Sequence, residues 1–141
     1  MDAIENLLDM GLNTRYEDLP SEVVERTRMA ILDTLGASIA GMTGEGVAPI
    51  AQMYQSWGGT TEATALALGQ KLPMPAAAML NGICGRAWDL DDVHEQNTCH
   101  VNVNVVPAIL ALAEGRGPIH GRDFLSALAI GAEMVCRTSA A

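Results

Sequence analysis

Residues 104–115, NVVPAILALAEG, are apolar on nearly every side of a helix. Such a helix has no solvent face of its own and must be surrounded by other elements. That requirement points the chain towards helices packed on helices, with this one buried and ending at Gly115. Pro107 falls in its first turn, where a missing N–H costs little. The material for the surrounding core is unusual: 49% of residues are hydrophobic but only 4% aromatic, so Ala, Leu, Val, Ile and eight Met must fill it. Small residues of this kind let helix backbones approach closely. At 141 residues the chain fits one domain with a real core.

Other helices follow from spacing and stop signals. Residues 2–10 read as a short helix with Ile4, Leu7 and Leu8 on one face. PSEVVERTRMAILDTLGASIAG opens with Ser21 as N-cap after Pro20, and Glu22 and Glu25 suit the positive helix end. Val24, Ile31, Leu35 and Ile39 recur along it near helical spacing, and Gly41, Gly44 and Gly46 punctuate its end. A third helix covers 47–57 and stops at Gly58-Gly59. TEATALALGQ is the one place for a short strand or extended loop. From Pro75, AAAMLNGICGRAWDLDD reads as a helix whose Gly82 and Gly85 lower propensity but permit tight packing. GRDFLSALAIGAEMVCR places Phe124, Leu128, Ala132 and Val135 on one stripe and sets Glu133 and Arg137 at i,i+4 pairing distance. That stripe runs almost to the last residue without a Gly stop or polar tail, so the expectation is the front part of something longer.

A formal net charge of −9 argues against nucleic acid and anionic membrane surfaces as partners, which need Lys and Arg to neutralise phosphate. Cys84, Cys99 and Cys136 make neither a disulfide framework nor a zinc knuckle, and fit a reducing compartment. The acidic start MDAIENLLDMG lacks the pattern of a secretory signal, and no apolar run is long enough to span a bilayer. The expected location is cytoplasmic.

Chemistry concentrates in RAWDLDDVHEQNTCHVNVNVVP, residues 86 to 107, where Asp89, Asp91, Asp92, His94, Glu95, Cys99 and His100 crowd together. A metal centre fits poorly: the HExxH spacing is absent, and a calcium loop needs a Gly that DLDDVHEQNTCH lacks. A mixed Asp/His site is the weaker alternative. Acid–base work fits better, because a carboxylate beside an imidazole holds its tautomer for proton abstraction next to a carbonyl. With the helix continued through Asp92, Asp89 lies one turn from Val93, and Asp91 points away towards His94 and Glu95. His100, just before the buried helix, can be held rigidly at a cleft wall. The plainer reading is a charged helix end and a solvated loop, which is the commoner fate of a charge run. His120 reads as a helix-opening residue, Cys99 as an inert thiol, and Trp57 and Trp88 as packing residues.

LDTLGASIAG (32–41), AAAMLNG (76–82), DLDDVHE (89–95), His100 with VVPAILALAEG to 115, and GRDFLSALAIGAEMVCR (121–137) stand in the order seen in the MmgE/PrpD family, which the chain resembles from about residue 20 onward. The family includes 2-methylcitrate dehydratases, cis-aconitate decarboxylases and an iminodisuccinate epimerase. The resemblance implies an all-α helical bundle, residues 1–141 being the N-terminal portion of the helical domain of a two-domain enzyme whose α+β domain lies outside this chain. It also implies a lyase or isomerase that acts without metal or organic cofactor on di- and tricarboxylates, in a cleft between domains. Asp89 matches the first Asp of the family's D-x-D-D and His100 its His, the implied catalytic pair. Arg86 stands where a His is often found and becomes a candidate carboxylate binder. Val93 replaces a common Thr, and Val101 a common Pro. A Lys and another His of the family site come from sequence not in this chain, so the isolated chain is expected to be silent and to need a homo-oligomer or partner subunit. The alternative is a non-catalytic helical interaction module.

Overall fold

Six α-helices and one short hairpin make up residues 2–140, which are those the computed structural model describes. The helices are α1 (Ala3–Asn13), α2 (Ser21–Gly41), α3 (Val47–Trp57), α4 (Met74–Arg86), α5 (Asn102–Arg116) and α6 (Gly121–Ser139). The expected all-α bundle is what the chain forms, and TEATALALGQ supplies the first strand and the turn of its one hairpin. Strand β1 (Ala63–Ala65) pairs antiparallel with β2 (Gln70–Leu72) around a 3-10 turn at Leu66–Leu68.

The bundle centres on α4, which lies between α2 and α5. Close approach there depends on missing side chains. A Cβ on Gly41 would fall 1.8 Å from the Cys84 carbonyl oxygen, and one on Gly85 would fall 2.6 Å from the Val103 side chain. The main core gathers Val47, Ala51, Ala63, Ala65, Leu72, Ala77, Leu80, Cys84 and Ala111, and a smaller cluster joins α5 to α6 through Val105, Val106 and Leu128. Buried Asn81 of α4 fastens the hairpin: its Oδ1 accepts from the Leu66 N–H at 2.9 Å and its Nδ2 donates to the Thr64 carbonyl at 2.8 Å.

Several local expectations need correction. Helix α1 reaches Asn13 and buries none of its residues; Ile4 and Leu8 are exposed, and it meets α6 through Gly11 against Met134 and Ile130. Pro20, not Ser21, is the N-cap residue of α2, and Ser21 is already helical. Trp57 and Trp88 are exposed rather than packed inside. Helix α4 stops at Arg86 instead of running through Asp92. Helix α5 begins two residues earlier than expected, which places Pro107 beyond the first turn, and it is not buried all round. Val103, Val105, Val106, Pro107 and Ala111 are inside, while Asn104, Ala108 and Leu112 form an exposed row. At Asn104 and Ala108 this open row leaves a gap beside α4.

Candidate functional site

The α4 helix ends because Asp89 turns the chain out of it, at φ 55°, a left-handed conformation that Asp tolerates better than most residues. The turn sends the segment 89–93 back over the bundle, and its three aspartates take up different sets of partners. Asp89 pairs with the Arg86 guanidinium and leaves 76% of its side chain exposed. Asp91 is the inward one, its side chain wholly buried. Its Oδ2 lies 2.9 Å from His100 Nδ1, and its Oδ1 accepts from Arg86 Nη1 at 3.2 Å. Asp92 accepts from the Asn102 N–H at 3.2 Å and from its Nδ2 at 3.1 Å, which places a carboxylate at the positive end of α5.

His100 is therefore fixed from two sides. Asp91 holds the ring, and Asn104 Nδ2 donates to the His100 carbonyl at 2.6 Å. The preceding loop is closed rather than loose: the His94 N–H donates to the Cys99 carbonyl at 2.8 Å, and Asn97 Nδ2 reaches Ser139 Oγ on α6 at 3.2 Å. An ionised carboxylate only accepts, so the Asp91 contact makes Nδ1 the protonated nitrogen and leaves Nε2 as the ring's free acceptor. Arg86 is held above the ordinary arginine pKa, chiefly by its hydrogen bond to Asp89 and then by the charges of Asp89 and Asp91, against desolvation.

These side chains border an open groove of about 610 Å³ between α4 and the exposed row of α5. Arg86, His100 and Asn104 are its polar residues, and Met79, Gly82, Ile83 and Ala108 are among its apolar ones. The sequence candidates Arg86 and His100 thus meet in one concavity. Asp89 stands beside them but makes no hydrogen bond to His100, and the residue that orients the imidazole is Asp91, which spacing had directed towards His94 and Glu95. A helix stop without glycine hid this: α4 ends at Arg86, and continuing it as an ideal helix directed Asp91 away from His100.

Asp89, Asp91 and His100 also offer ligand atoms within 4.8 Å of one another, the one such grouping of three among the described residues. Arg86 Nη1 bonds to both of those carboxylates, however, and sets a fixed positive charge where a cation would compete for the same oxygens. Burial is the main influence pushing the Cys84 and Cys136 thiols up in pKa. Among the described residues no helix is long and apolar enough to cross a membrane.

The family model for the MmgE/PrpD N-terminal domain matches residues 5–141. The chain belongs to the MmgE/PrpD family. Among curated relatives it is similar to the cis-aconitate decarboxylase of Aspergillus terreus, with 33% identity over 125 residues that cover 86% of this chain and 26% of the relative. It is similar to the Homo sapiens cis-aconitate decarboxylase at 36% identity over 122 residues, covering 82% of this chain and 25% of the relative. The Mus musculus enzyme of that name is 28% identical over 134 residues, or 92% and 27% of the two chains. This MmgE/PrpD chain spans about a quarter of the length of the curated relatives it matches.

Proposed function

We propose that this chain supplies one wall of the active site of a cofactor-independent lyase or isomerase acting on di- or tricarboxylates. It does so as the N-terminal portion of the family's helical domain. The observation that carries the reading is the 2.9 Å contact between His100 Nδ1 and the buried Asp91 carboxylate, at the edge of a groove that Arg86 also lines. In this reading Nε2 of His100 takes or returns the proton next to a substrate carboxylate, and Asp91 stabilises the imidazolium that forms. Arg86 keeps donors beyond Nη1, enough to hold a carboxylate in two-point fashion. Asp89 tethers Arg86 from the solvent side and so positions that donor, while direct substrate contact falls to Arg86 and His100. The one lysine, Lys71, sits on the hairpin beside Glu114 at 3.5 Å, away from the groove, so a catalytic lysine has to come from another part of the assembled enzyme. The relatives' named activity, cis-aconitate decarboxylation, is the first reaction to try, with 2-methylcitrate dehydration second.

The test is reconstitution. The chain is co-expressed with the remaining three-quarters of the Aspergillus terreus relative, and loss of cis-aconitate and 2-methylcitrate is followed by NMR. The chain alone should be silent and the reconstituted pair active, with His100→Ala lowering the rate by about a hundredfold or more. An inactive but assembled pair, or an unchanged rate after His100→Ala, refutes the reading.

A second reading, a non-catalytic helical interaction module, has one observation in its favour. Met29, Leu32 and Ile39 are all exposed along one face of α2. Sedimentation velocity separates the two: a stable monomer at high concentration would leave that face without the self-association this reading calls for.

A further inference from the structure

The sequence VNVNVV, residues 101–106, sets two asparagines into the first turn of α5, and the structure gives them different work. Asn102 is spent on Asp92, which accepts from both its backbone and its side-chain nitrogen. Asn104 stands on the exposed row and lines the groove together with His100 and Arg86. Side chains on a helix lean towards its N-terminus, and here the amide folds back one turn, so that Nδ2 donates to the His100 carbonyl at 2.6 Å. That bond settles which end of the amide is free. A carbonyl oxygen only accepts, so the nitrogen must face it, and Oδ1 is the unengaged end. No donor reaches Oδ1 among the described residues. Helix propensity favours Ala or Leu over Asn at an exposed position, and those two residues do occupy the rest of the row, at Ala108 and Leu112.

The groove is therefore uneven in its polar chemistry. Arg86 contributes positively charged donors, whereas His100 Nε2 and Asn104 Oδ1 contribute acceptors. The Asp91 carboxylate ties the guanidinium and the imidazole side by side, so these groups face one ligand. An ionised di- or tricarboxylate satisfies Arg86 but brings only further acceptors to Asn104 Oδ1. A hydroxyl on the same ligand brings the missing donor. An ammonium group would bring one too, but beside the fixed positive charge of Arg86. We propose that Asn104 is a specificity-determining residue of this groove: its Oδ1 accepts from a substrate hydroxyl, so hydroxylated di- and tricarboxylates are selected over their deoxy counterparts. The inference rests on the carboxylate-binding role proposed above for Arg86. A site that hydrogen-bonds a hydroxyl rejects the analogue lacking it, because its acceptor is then left facing the ligand without a partner.

Malate and succinate carry the same two carboxylates and differ by one hydroxyl, which makes them the probe pair. Each is titrated into the whole chain, and saturable NMR shifts of the Met79, Ile83 and Ala108 methyls report binding in the groove. One malate enantiomer should bind about fivefold tighter than succinate, the scale of one hydrogen bond. Asn104→Leu should erase that ratio, with Asn104→Ala as the second variant should leucine occlude the groove. A merely structural role, through the His100 carbonyl, would weaken both acids alike and leave the ratio intact. Arg86→Gln should weaken both acids together. Equal affinity for malate and succinate in the parent chain overturns the proposal, as does a malate preference that survives both Asn104 variants. So does the absence of saturable shifts with either acid. Aspartate binding tighter than malate also overturns it, by assigning Oδ1 to an ammonium donor. The ratio needs no turnover. An inactive reconstituted pair therefore refutes the catalytic reading and leaves this one standing, and an active pair whose chain shows no malate preference does the reverse.

Discussion

Asp89 and Asp91 are two positions apart, share Arg86 as a partner, and differ in everything that sets an energetic role. Asp91 is buried and answers two cationic or polar groups, whereas Asp89 is mostly in solvent. Asp91→Ala should therefore lower stability by about 2 kcal/mol, the scale of charged hydrogen bonds lost from a buried group. Asp89→Ala should stay within about 0.5 kcal/mol, as exposed pairs do. Urea denaturation of the two variants side by side checks the contrast. Thr98 shows another local feature: φ of 48° in a β-branched residue, just before Cys99 and His100. Thr98→Asn, which accepts the left-handed region, should raise stability by about 1 kcal/mol. A lower denaturation midpoint in this variant would mean that the Thr side chain makes a contact worth more than the strain.

Among the elements, the close contact between α2 and α4 depends on the missing side chain at Gly41. Adding one methyl there drives it into a backbone carbonyl, which cannot rotate aside. Gly41→Ala should cost about 3 kcal/mol or more, read as a fall in Tm together with broadened α4 amide signals. Gly36, whose added Cβ meets nothing within 4 Å, is the control: Gly36→Ala should stabilise by up to about 1 kcal/mol through helix propensity. The α5 helix shows the complementary situation. Its sequence is apolar enough for burial on all sides, yet α2, α4 and α6 leave the row at Asn104, Ala108 and Leu112 open. That uncovered row is what makes the groove beside Arg86 and His100.

Across the whole molecule the −9 net charge makes pH a sensitive variable, and Glu114 is one carboxylate that the fold uses. Desolvation pushes its pKa up, but hydrogen bonds from the Thr64 hydroxyl and N–H, with help from Lys71, outweigh it and hold the pKa below the ordinary value. A lowered folded-state pKa means stability that is present above the unfolded glutamate value of about 4.3 and is lost as pH falls through the folded one. Glu114→Gln should thus be less stable than the parent at pH 7, with the gap closing below about pH 4. Equilibrium unfolding at the two pH values reads it directly. A gap that persists at about pH 3 would assign the loss to packing. The groove belongs to this scale too, since it forms between two elements, α4 and the exposed row of α5.

The helical class, the apolar stripe on α6, the extended segment within TEATALALGQ and the Glu133–Arg137 pair were legible from residue order, because periodicity and i,i+4 spacing are local properties. His100 was legible as a candidate from residue type and position, and Arg86 from the family resemblance. Which aspartate serves His100 was not. It depends on the residue at which α4 stops, and a left-handed aspartate carries no signal as plain as a glycine. The open row of α5 was equally out of reach. A residue's own neighbours dictate that it is helical and apolar. Whether another helix comes to cover it is decided by how six helices share a fixed volume, and only the tertiary structure holds that information.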